Sequence, residues 1–403
     1  EMQRSLVGSE MCIRDRYIDI RKDGCYCDFP LYGTLENMSV LGELRLAASF
    51  SYSDEMASTI YLNQKIDFVD PGHVEYLRPI NKSVGGWLKN SVYNQKLLER
   101  LVPFMDLVVG YMPSGDADTA MRIARRHEIP FLSFLVACPW DSLHNHHRLL
   151  ARLMAPISFL TTRYSVRHSD YVHYVTKEFL QRRYPTEGRA LGCSDTNFGV
   201  FDPMALESRL RKLSSRKETD EVRLITTAHV DVRYKGHEFV IRAIARLKSL
   251  GDLHYRYWLI GGGKGDYLRT LCKRLGVEDQ VIFLGLKTSK EVMKILKDAD
   301  IYLQPSLQEG LPRSVVEAMS VALPCIGFNT GGIPELLEPE FVVDQKDVKG
   351  IVRCLIHLRD NAKYRQTAER NFQMAGDYEH SKLEKRIRDF FSEVRKDVED
   401  KRI

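Results

Sequence analysis

The chain has 403 residues and a mass of 46.5 kDa, which gives room for two domains of ordinary size, each with its own core. Hydrophobic residues make up 44% and charged residues 28%, and the mean hydropathy is -0.30, so the composition predicts a soluble globular protein and excludes a disordered or membrane-spanning one. The net charge of +5 is too small to indicate a nucleic-acid-binding protein.

The cysteines indicate the cellular compartment of the protein. Eight cysteines are spread along the sequence, and the single close pair, Cys25 and Cys27, has neither zinc-ligand nor disulfide-framework spacing, which predicts reduced thiols in a cytosolic protein.

Arg4–Arg16 (RSLVGSEMCIRDR) resembles an adapter-derived peptide, and its charges argue against a signal peptide. We therefore treat residues 1–16 as a sequence artefact and expect a first domain that is truncated at its start.

The first half of the chain alternates strands and helices from Leu101 onward, which is typical of parallel βαβ units. No strand or glycine-rich loop is visible before Asp106. The predicted elements are strand Asp106–Tyr111, helix Asp116–His127, strand Pro130–Ala137, helix Leu149–His168 and strand Tyr171–Val175. A charged stretch, Ala205–Glu221, predicts a helix followed by a linker.

The second half repeats the same alternation. The predicted strands are Val222–Thr227, Tyr255–Gly261, Val281–Phe283, Ile301–Gln304 and Cys325–Phe328. The predicted helices are Gly236–Ser249, Asp266–Leu275, Lys290–Lys297, Pro312–Val321, a short one from Ile333, and a long one over Ser381–Ile403. We expect an α/β protein with two Rossmann-like parallel-sheet domains, over residues 17–204 and 222–380, with a linker at 205–221 and a last helix at 381–403. In such sheets ligands bind beyond the carboxyl ends of the strands.

The segment Pro305–Glu317 (PSLQEGLPRSVVE) is the strongest candidate for chemistry. Glu309 lies in a loop and Glu317 in the helix that follows, so two carboxylates flank the start of a helix. Gly310 leaves space for a ligand, and Pro312 suits the first helical turn. The backbone N–H groups of that turn have no helical partner and can hold a phosphate at the positive end of the helix dipole.

Here the sequence resembles the retaining glycosyltransferases of family 4, whose hallmark is a Glu-x7-Glu motif in the setting EGxxxxxxEA. Glu309, Gly310, Glu317 and Ala318 match it in place. Segments that follow the family's order and spacing are Gly261–Gly263, Val281–Gly285, Asp298–Ser306 and Gly331–Leu337. Farther upstream, Cys138–Asn145 and Tyr174–Pro185 resemble the capsular and exopolysaccharide members of the family.

The resemblance implies the GT-B fold, two Rossmann-like domains facing a cleft with the last helix crossing back to the first domain. It implies that Glu317 binds the ribose hydroxyls of a nucleotide sugar, that Glu309 binds a hydroxyl of the transferred sugar, and that Lys235 holds the diphosphate. Arg233 would replace an arginine that members usually place five or six residues before that lysine. The remaining donor-binding residues it implies are Gly310, Leu311, Arg313, Ser314, Gly262 and Leu286.

The loop Cys138–His147 follows a predicted strand, and Asp141 is the candidate for contacting the acceptor or the reacting sugar, with His144 and Asn145 behind it. Packing and capping of the next helix explain Trp140 and Asp141 about as well. The histidines of this loop lack a cysteine or a well-spaced carboxylate, so we predict no metal site there. The pairs Asp116-Ala-Asp118 and Asp298-Ala-Asp300 are expected to be structural, because the first opens a helix, where acidic residues cap free N–H groups, and the second ends a helix before a strand.

Between Arg148 and Arg183 the sequence has seven Arg or Lys against two acidic residues, mixed with apolar side chains. A basic amphipathic helix of this kind can lie on an anionic membrane, and a solvated face over a buried stripe is the alternative.

Taken with the resemblance, the sequence predicts a retaining hexosyltransferase that moves a sugar from a nucleotide-diphosphate sugar to a polysaccharide or lipid-linked oligosaccharide. We expect UDP rather than GDP as the donor nucleotide, no cofactor, no nucleic-acid partner, and a cytoplasmic location with peripheral attachment at the inner face of the plasma membrane. An inactive or truncated GT-B protein that binds nucleotides or serves as a scaffold is the alternative. A nucleotide-sugar epimerase is a further one, although its acid and base groups cannot be placed.

Overall fold

The computed structural model of the chain describes residues 18–21, 24–27, 29–49, 64–78, 84–145, 149–196, 201–217 and 220–401. The segment 1–16, predicted to be an artefact, lies outside the described residues. The chain forms two compact units, the first from residues 1–143, 150–195 and 383–403, and the second from residues 144–149 and 196–382. No helix in the described ranges has the length and apolar content needed to cross a membrane.

The first unit contains most of the chain up to residue 195. Its elements are β1 Ile18–Arg21, β2 Gly24–Cys27, α1 Phe29–Met38, β3 Leu46–Ser49, β4 Gln64–Ile66, β5 Val74–Leu77, α2 Val84–Leu101, β6 Val108–Met112, α3 Gly115–Arg126, β7 Phe131–Leu135, α4 Pro139–His144, α5 Leu149–Arg167, β8 Tyr171–Tyr174, α6 Phe179–Arg183 and β9 Arg189–Gly192. Strands β6, β7, β8 and β9 form a four-stranded parallel sheet in that order. Strands β3 and β5 pair in parallel, and β1, β2 and β4 are antiparallel.

The expectation that no strand precedes Asp106 is wrong. Five strands, β1 to β5, lie upstream, and Ala47 of β3 and Leu77 of β5 belong to the same core as Val108 of β6. Each of these strands has only three or four residues, too few for a period-two pattern to stand out in the sequence.

The second unit is built on one parallel sheet. Its elements are α7 Ala205–Ser214, β10 Val222–Thr227, α8 His237–Ser249, β11 Tyr255–Ile260, α9 Asp266–Leu275, β12 Val281–Gly285, α10 Ser289–Asp298, β13 Ile301–Gln304, α11 Arg313–Ser320, β14 Cys325–Phe328, α12 Ile333–Leu336, β15 Val342–Val343, α13 Val348–His357 and α14 Asn361–Ala375. The six strands follow the order β12-β11-β10-β13-β14-β15, and every pairing is parallel. The order reverses between β10 and β13, which is the position where ligands bind in sheets of this kind.

The strands and helices predicted for the second half are present, and the bounds of α9, β13 and β14 are those predicted. The predicted linker, 205–221, begins with α7, which packs on the core of the second unit through Leu213. The two units divide between residues 195 and 196, upstream of that linker.

The last helix, α15 (His380–Asp400), groups with the first unit from residue 383 onward, as the predicted return of this helix requires. Its Phe391 ring lies edge-on to His173 of β8, with ring centroids 6.2 Å apart. Near its far end, Asp397 pairs with Arg189 at 3.0 Å.

Arg209 of α7 is a buried cation that joins three helices of the second unit. It is 4% exposed, and its guanidinium donates to the backbone oxygens of Leu296 and Ala299 at the end of α10 and of Val321 at the end of α11. These carbonyls have no partner within their own helices and lie at the negative ends of the helix dipoles. Arg209 therefore fixes the end of α11, the helix that contains Glu317.

We expect Arg209→Met to lower the free energy of unfolding by about 3 kcal/mol, because it removes the guanidinium donors of the Leu296 and Val321 carbonyls and leaves Ala299 with Lys212 as its donor. Urea denaturation followed by circular dichroism measures the loss. Arg211→Met is the matched control on the same helix, since Arg211 makes only an exposed pair with Glu207 and its loss should cost less than about 0.5 kcal/mol. Equal effects of the two substitutions would contradict the role assigned to Arg209.

Candidate active site

The candidate site lies at the carboxyl ends of β10, β11 and β13, within the second unit. Gly236, in the loop after β10, holds this loop against the loop after β13. Its φ is 72°, and a Cβ atom there would lie 1.9 Å from the Pro305 carbonyl oxygen, so no other residue fits. The Leu307 amide donates to the Tyr234 carbonyl at 2.7 Å across the same junction. This contact brings two segments seventy residues apart in sequence to the same place.

Lys235 and Glu309 meet at this junction. The Lys235 Nζ lies 2.7 Å from the Glu309 Oε1, and the two side chains are 23% and 11% exposed. Burial disfavours the ammonium charge, but the attraction of Glu309 and Tyr234 and the hydrogen bond to Glu309 together outweigh it and raise the pKa of Lys235 above its ordinary value. An ammonium has three N–H donors, so Lys235 can hold Glu309 and a phosphate oxygen together.

Gln304 positions Glu309, and the sequence analysis missed it. This last residue of β13 is 1% exposed, and its Nε2 donates to the Glu309 Oε1 at 2.8 Å. Its Oε1 accepts from the Tyr302 hydroxyl at 2.8 Å and the Ser314 hydroxyl at 3.2 Å, which fixes the orientation of the amide. A buried glutamine needs such partners, so its place at the end of an apolar strand, directly before the motif, was the available signal.

Glu317 lies in α11, where the sequence places it. Burial raises the pKa of its carboxyl group, and attraction to Arg313, one helical turn earlier, opposes that rise. The helix begins after Pro312 and has no side-chain cap. Because α11 follows β13, the amides of its first turn lie at the same end of the sheet as Glu309. The predicted binding residues Gly310, Leu311 and Ser314 lie in the connection between the two glutamates and in this first turn.

The loop after β11 packs against the loop after β10. The Val230 amide donates to the Gly262 carbonyl at 3.0 Å, and a Cβ atom at Gly261 would lie 2.0 Å from the Ala228 carbonyl oxygen. Asp231 accepts from the amides of Lys264 and Gly265 at 2.9 and 2.8 Å, and these bonds hold its pKa below the ordinary value. Gly262 therefore lies at the site in a loop whose backbone is fixed.

The other predicted site residues take part in contacts outside the Lys235–Glu309 pair or are exposed. Arg233 is exposed and stacks on the Tyr267 ring, with its guanidinium carbon 3.3 Å from the ring centroid. Leu286, which follows β12, is 62% exposed. Asp141 belongs to the first unit, where it pairs with Arg183 at 3.2 Å, and its contact with an acceptor stays a prediction.

Two further predictions concern the loop after β7 and metal binding. Asn145, grouped with the second unit, donates from Nδ2 to the Leu307 carbonyl at 2.7 Å, which ties this residue to the loop that precedes Glu309. His146 and His147 lie outside the described residues. Groups of three or more potential metal ligands do not occur in the described part of the chain. Asp116 bonds to Asn94, and Asp118 to Ser165, in the structural roles expected of that pair.

The arrangement combines two recognition elements within one end of a parallel sheet. A cation and uncapped helix amides suit a phosphate group, and two partly buried carboxylates suit hydroxyl groups. All of these groups are held by buried backbone or side-chain contacts, so they can stabilise developing negative charge without reorganising.

We expect Glu317→Gln to raise the urea midpoint at pH 7. The folded-state pKa of Glu317 is raised, so the folded state binds the proton more tightly than the unfolded state, and stability falls as pH rises through that interval. The uncharged glutamine removes this cost, and the gain should vanish at about pH 3, well below the ordinary pKa of 4.5, where both states are protonated. The control Glu291→Gln should have the opposite sign at pH 7, because bonds from Thr288 lower the pKa of Glu291. A loss of stability at pH 7 in the Glu317 variant would contradict the burial argument.

Comparison with known proteins relates the chain to glycosyltransferases. Residues 210–373 match the family model described as glycosyl transferases group 1. Protein CapJ of Staphylococcus aureus is 25% identical over 76% of this chain and 78% of its own length. The putative colanic acid biosynthesis glycosyltransferase WcaL of Escherichia coli is 36% identical over 30% of this chain, and the match spans only 32% of WcaL.

Among solved structures, HepE of Anabaena in complex with UDP-glucose superposes with a TM-score of 0.60 at 16% identity, covering 90% of this chain and 95% of that one. A likeness at this identity shows the fold alone, and it confirms the predicted α/β class and GT-B fold. The chain therefore has the GT-B fold, and most of its second unit matches the model of the glycosyl transferases of group 1.

Proposed function

We propose that this chain is a retaining glycosyltransferase of family 4 that transfers a hexose from a nucleotide-diphosphate sugar to a saccharide acceptor in the synthesis of a cell-surface polysaccharide. The observation that carries the proposal is the buried pair of Lys235 and Glu309 beside the uncapped start of α11. Lys235 and the helix amides would hold the diphosphate, and Glu309 would accept a hydrogen bond from a hydroxyl of the transferred sugar. Glu317 would accept hydrogen bonds from the ribose hydroxyls.

In the proposed reaction the bond between the anomeric carbon and the diphosphate oxygen breaks, and a bond from that carbon to an acceptor hydroxyl oxygen forms. The electron pair of the broken bond stays on the diphosphate, and the hydroxyl proton is passed to it. Lys235 and the positive end of α11 stabilise that negative charge. We propose UDP as the nucleotide, and the UDP-glucose complex of the structural neighbour HepE supports this choice.

We propose an acceptor carried on a lipid diphosphate, which would place the enzyme peripherally at the cytoplasmic face of the membrane. The description of WcaL as a putative colanic acid biosynthesis glycosyltransferase supports the polysaccharide part. A scaffold without activity was suggested by the lack of a visible strand and glycine-rich loop before Asp106, and strands are present there.

Calorimetric titration with UDP and GDP tests the donor site first. We expect the chain to bind UDP, and we expect Glu317→Ala to weaken binding by about tenfold or more, because it removes charge-assisted hydrogen bonds to the ribose. Glu278→Ala is the matched control, since Glu278 is exposed and precedes β12. It therefore lies at the amino end of this strand, whereas the site lies at the carboxyl ends of the strands. Failure of the folded chain to bind either nucleotide would contradict the proposal.

Turnover of UDP-sugars tests the role of Lys235. We expect Lys235→Met to reduce kcat about 100-fold, because it removes a preorganised charge from the leaving diphosphate. The control Lys273→Met, at an exposed position of α9, should keep the wild-type rate. An unchanged rate in Lys235→Met, with its folding verified by thermal melting, would exclude this role.

The same reaction mixtures test retention. Proton NMR of the product gives the anomeric configuration of the new linkage, and retention predicts that of the donor sugar. An inverted product would contradict the retaining mechanism and leave the transferase activity standing.

A further inference from the structure

Helix α5 presents large apolar side chains to solvent. Seven of them are between 42% and 70% exposed, and they recur at spacings of one, three and four residues, which puts them on one side of the helix. We call this set the apolar face of α5, and it consists of Leu149, Leu150, Leu153, Met154, Ile157, Leu160 and Tyr164. A contiguous apolar surface of this kind on a globular protein marks an interaction site.

The opposite side of α5 is the one that packs on the first unit, and its residues are small or polar. Ala155, Thr162, Ser165 and Val166 are buried. The Ser165 hydroxyl donates to the Asp118 carboxylate at 2.6 Å, so the rotation of the helix about its axis is fixed. The usual polarity of a surface helix is therefore reversed, and the apolar face cannot turn inward without breaking this packing.

Positive charge accompanies the apolar face. Within Leu149–Arg167 there are three arginines and no acidic residue. At about 100° per residue, Arg152 and Arg163 lie along one edge of the apolar face, and both are exposed. The Arg163 guanidinium contacts the Arg183 carbonyl at 3.4 Å, which leaves its charge uncompensated by that contact.

We infer that the apolar face of α5 docks on an anionic phospholipid bilayer, with the helix lying in the plane of the interface. The aliphatic side chains would enter the acyl boundary, and the arginines at the edge would meet lipid phosphates. Charge favours this occupant over a second copy of the chain, since two such faces would bring arginines of like sign together. The inference deepens the proposed acceptor by naming the surface that reaches the membrane, but docking itself needs no catalysis.

Co-sedimentation with vesicles measures the docking. We use vesicles of phosphatidylcholine alone and of phosphatidylcholine and phosphatidylglycerol in equal parts. The full chain should bind the anionic vesicles at least about tenfold more tightly, and added salt should weaken that binding, because ions screen the arginine charges. Absence of vesicle binding, or binding that ignores both lipid charge and salt, would overturn the inference.

Two sets of variants locate the surface. The triple variant Leu153→Ser, Ile157→Ser, Leu160→Ser should bind anionic vesicles about tenfold more weakly or worse. Its matched control is Leu250→Ser, Leu253→Ser, Ile356→Ser, three apolar residues of the second unit that are 51% to 66% exposed, and this variant should bind as the wild type does. Arg152→Gln with Arg163→Gln keeps the apolar face and should lose the preference for anionic lipid. Unchanged binding by the apolar triple variant or by the arginine variant would overturn the inference.

Light scattering and nucleotide titration separate the other outcomes. A dimer that the apolar triple variant converts to a monomer would overturn the inference in favour of a second copy. A chain that binds UDP but no vesicles would contradict the membrane surface alone. A chain that binds anionic vesicles but no nucleotide would contradict the proposed function alone.

Discussion

The close approach of Gly236 to the Pro305 carbonyl is the constraint on which the candidate site depends. Because no side chain fits there, the loop after β10 can lie directly on the loop after β13, at the position where the strand order of the sheet reverses. Lys235 is then held 2.7 Å from Glu309, and Gln304 fixes the same carboxylate from the strand below. Any side chain at Gly236 would separate the two loops and break the pair. The chemistry proposed for the site therefore rests on a backbone contact that takes part in none of it.

Stability and recognition conflict at the two glutamates in different ways. Glu309 has its charge matched by Lys235, so its burial is compensated by a partner. Burial dominates at Glu317, where the attraction of Arg313 only opposes the rise in the carboxyl pKa. For Glu317 to accept hydrogen bonds from a ligand, its carboxylate oxygens must stay available, and the burial of that charge lowers the stability of the folded chain. Arg209 opposes this loss of stability, because it binds the end of the helix that contains Glu317.

The second unit and strands β6 to β8 of the first unit were largely predictable from the sequence, whereas strands β1 to β5 were not, for a physical reason. Strands such as β13 are short apolar runs bounded by turn residues and alternate with amphipathic helices, so the pattern fixes their place. Strands β3 and β5 have four residues each and acquire their identity from pairing with each other, which no local pattern records. The motif located Glu309 and Glu317. A glutamine at the end of an apolar strand was a signal for Gln304, but its role depends on partners that the fold brings together. Asp141 pairs with Arg183, and its contact with an acceptor stays a prediction.

Helix α5 shows that composition and periodicity alone do not determine which face of an amphipathic helix is buried. The sequence contains an apolar side and a side of small and polar residues, and ordinary packing would bury the first. The structure buries Ala155 and Ser165 and exposes Leu153 and Leu160, because Ser165 bonds to a buried carboxylate of α3 and small residues allow the helices to approach. The apolar surface left outside has no compensation within the packing of α5 on its own unit. The proposed membrane partner would cover it, and Arg152 and Arg163 beside it favour a partner with negative charge.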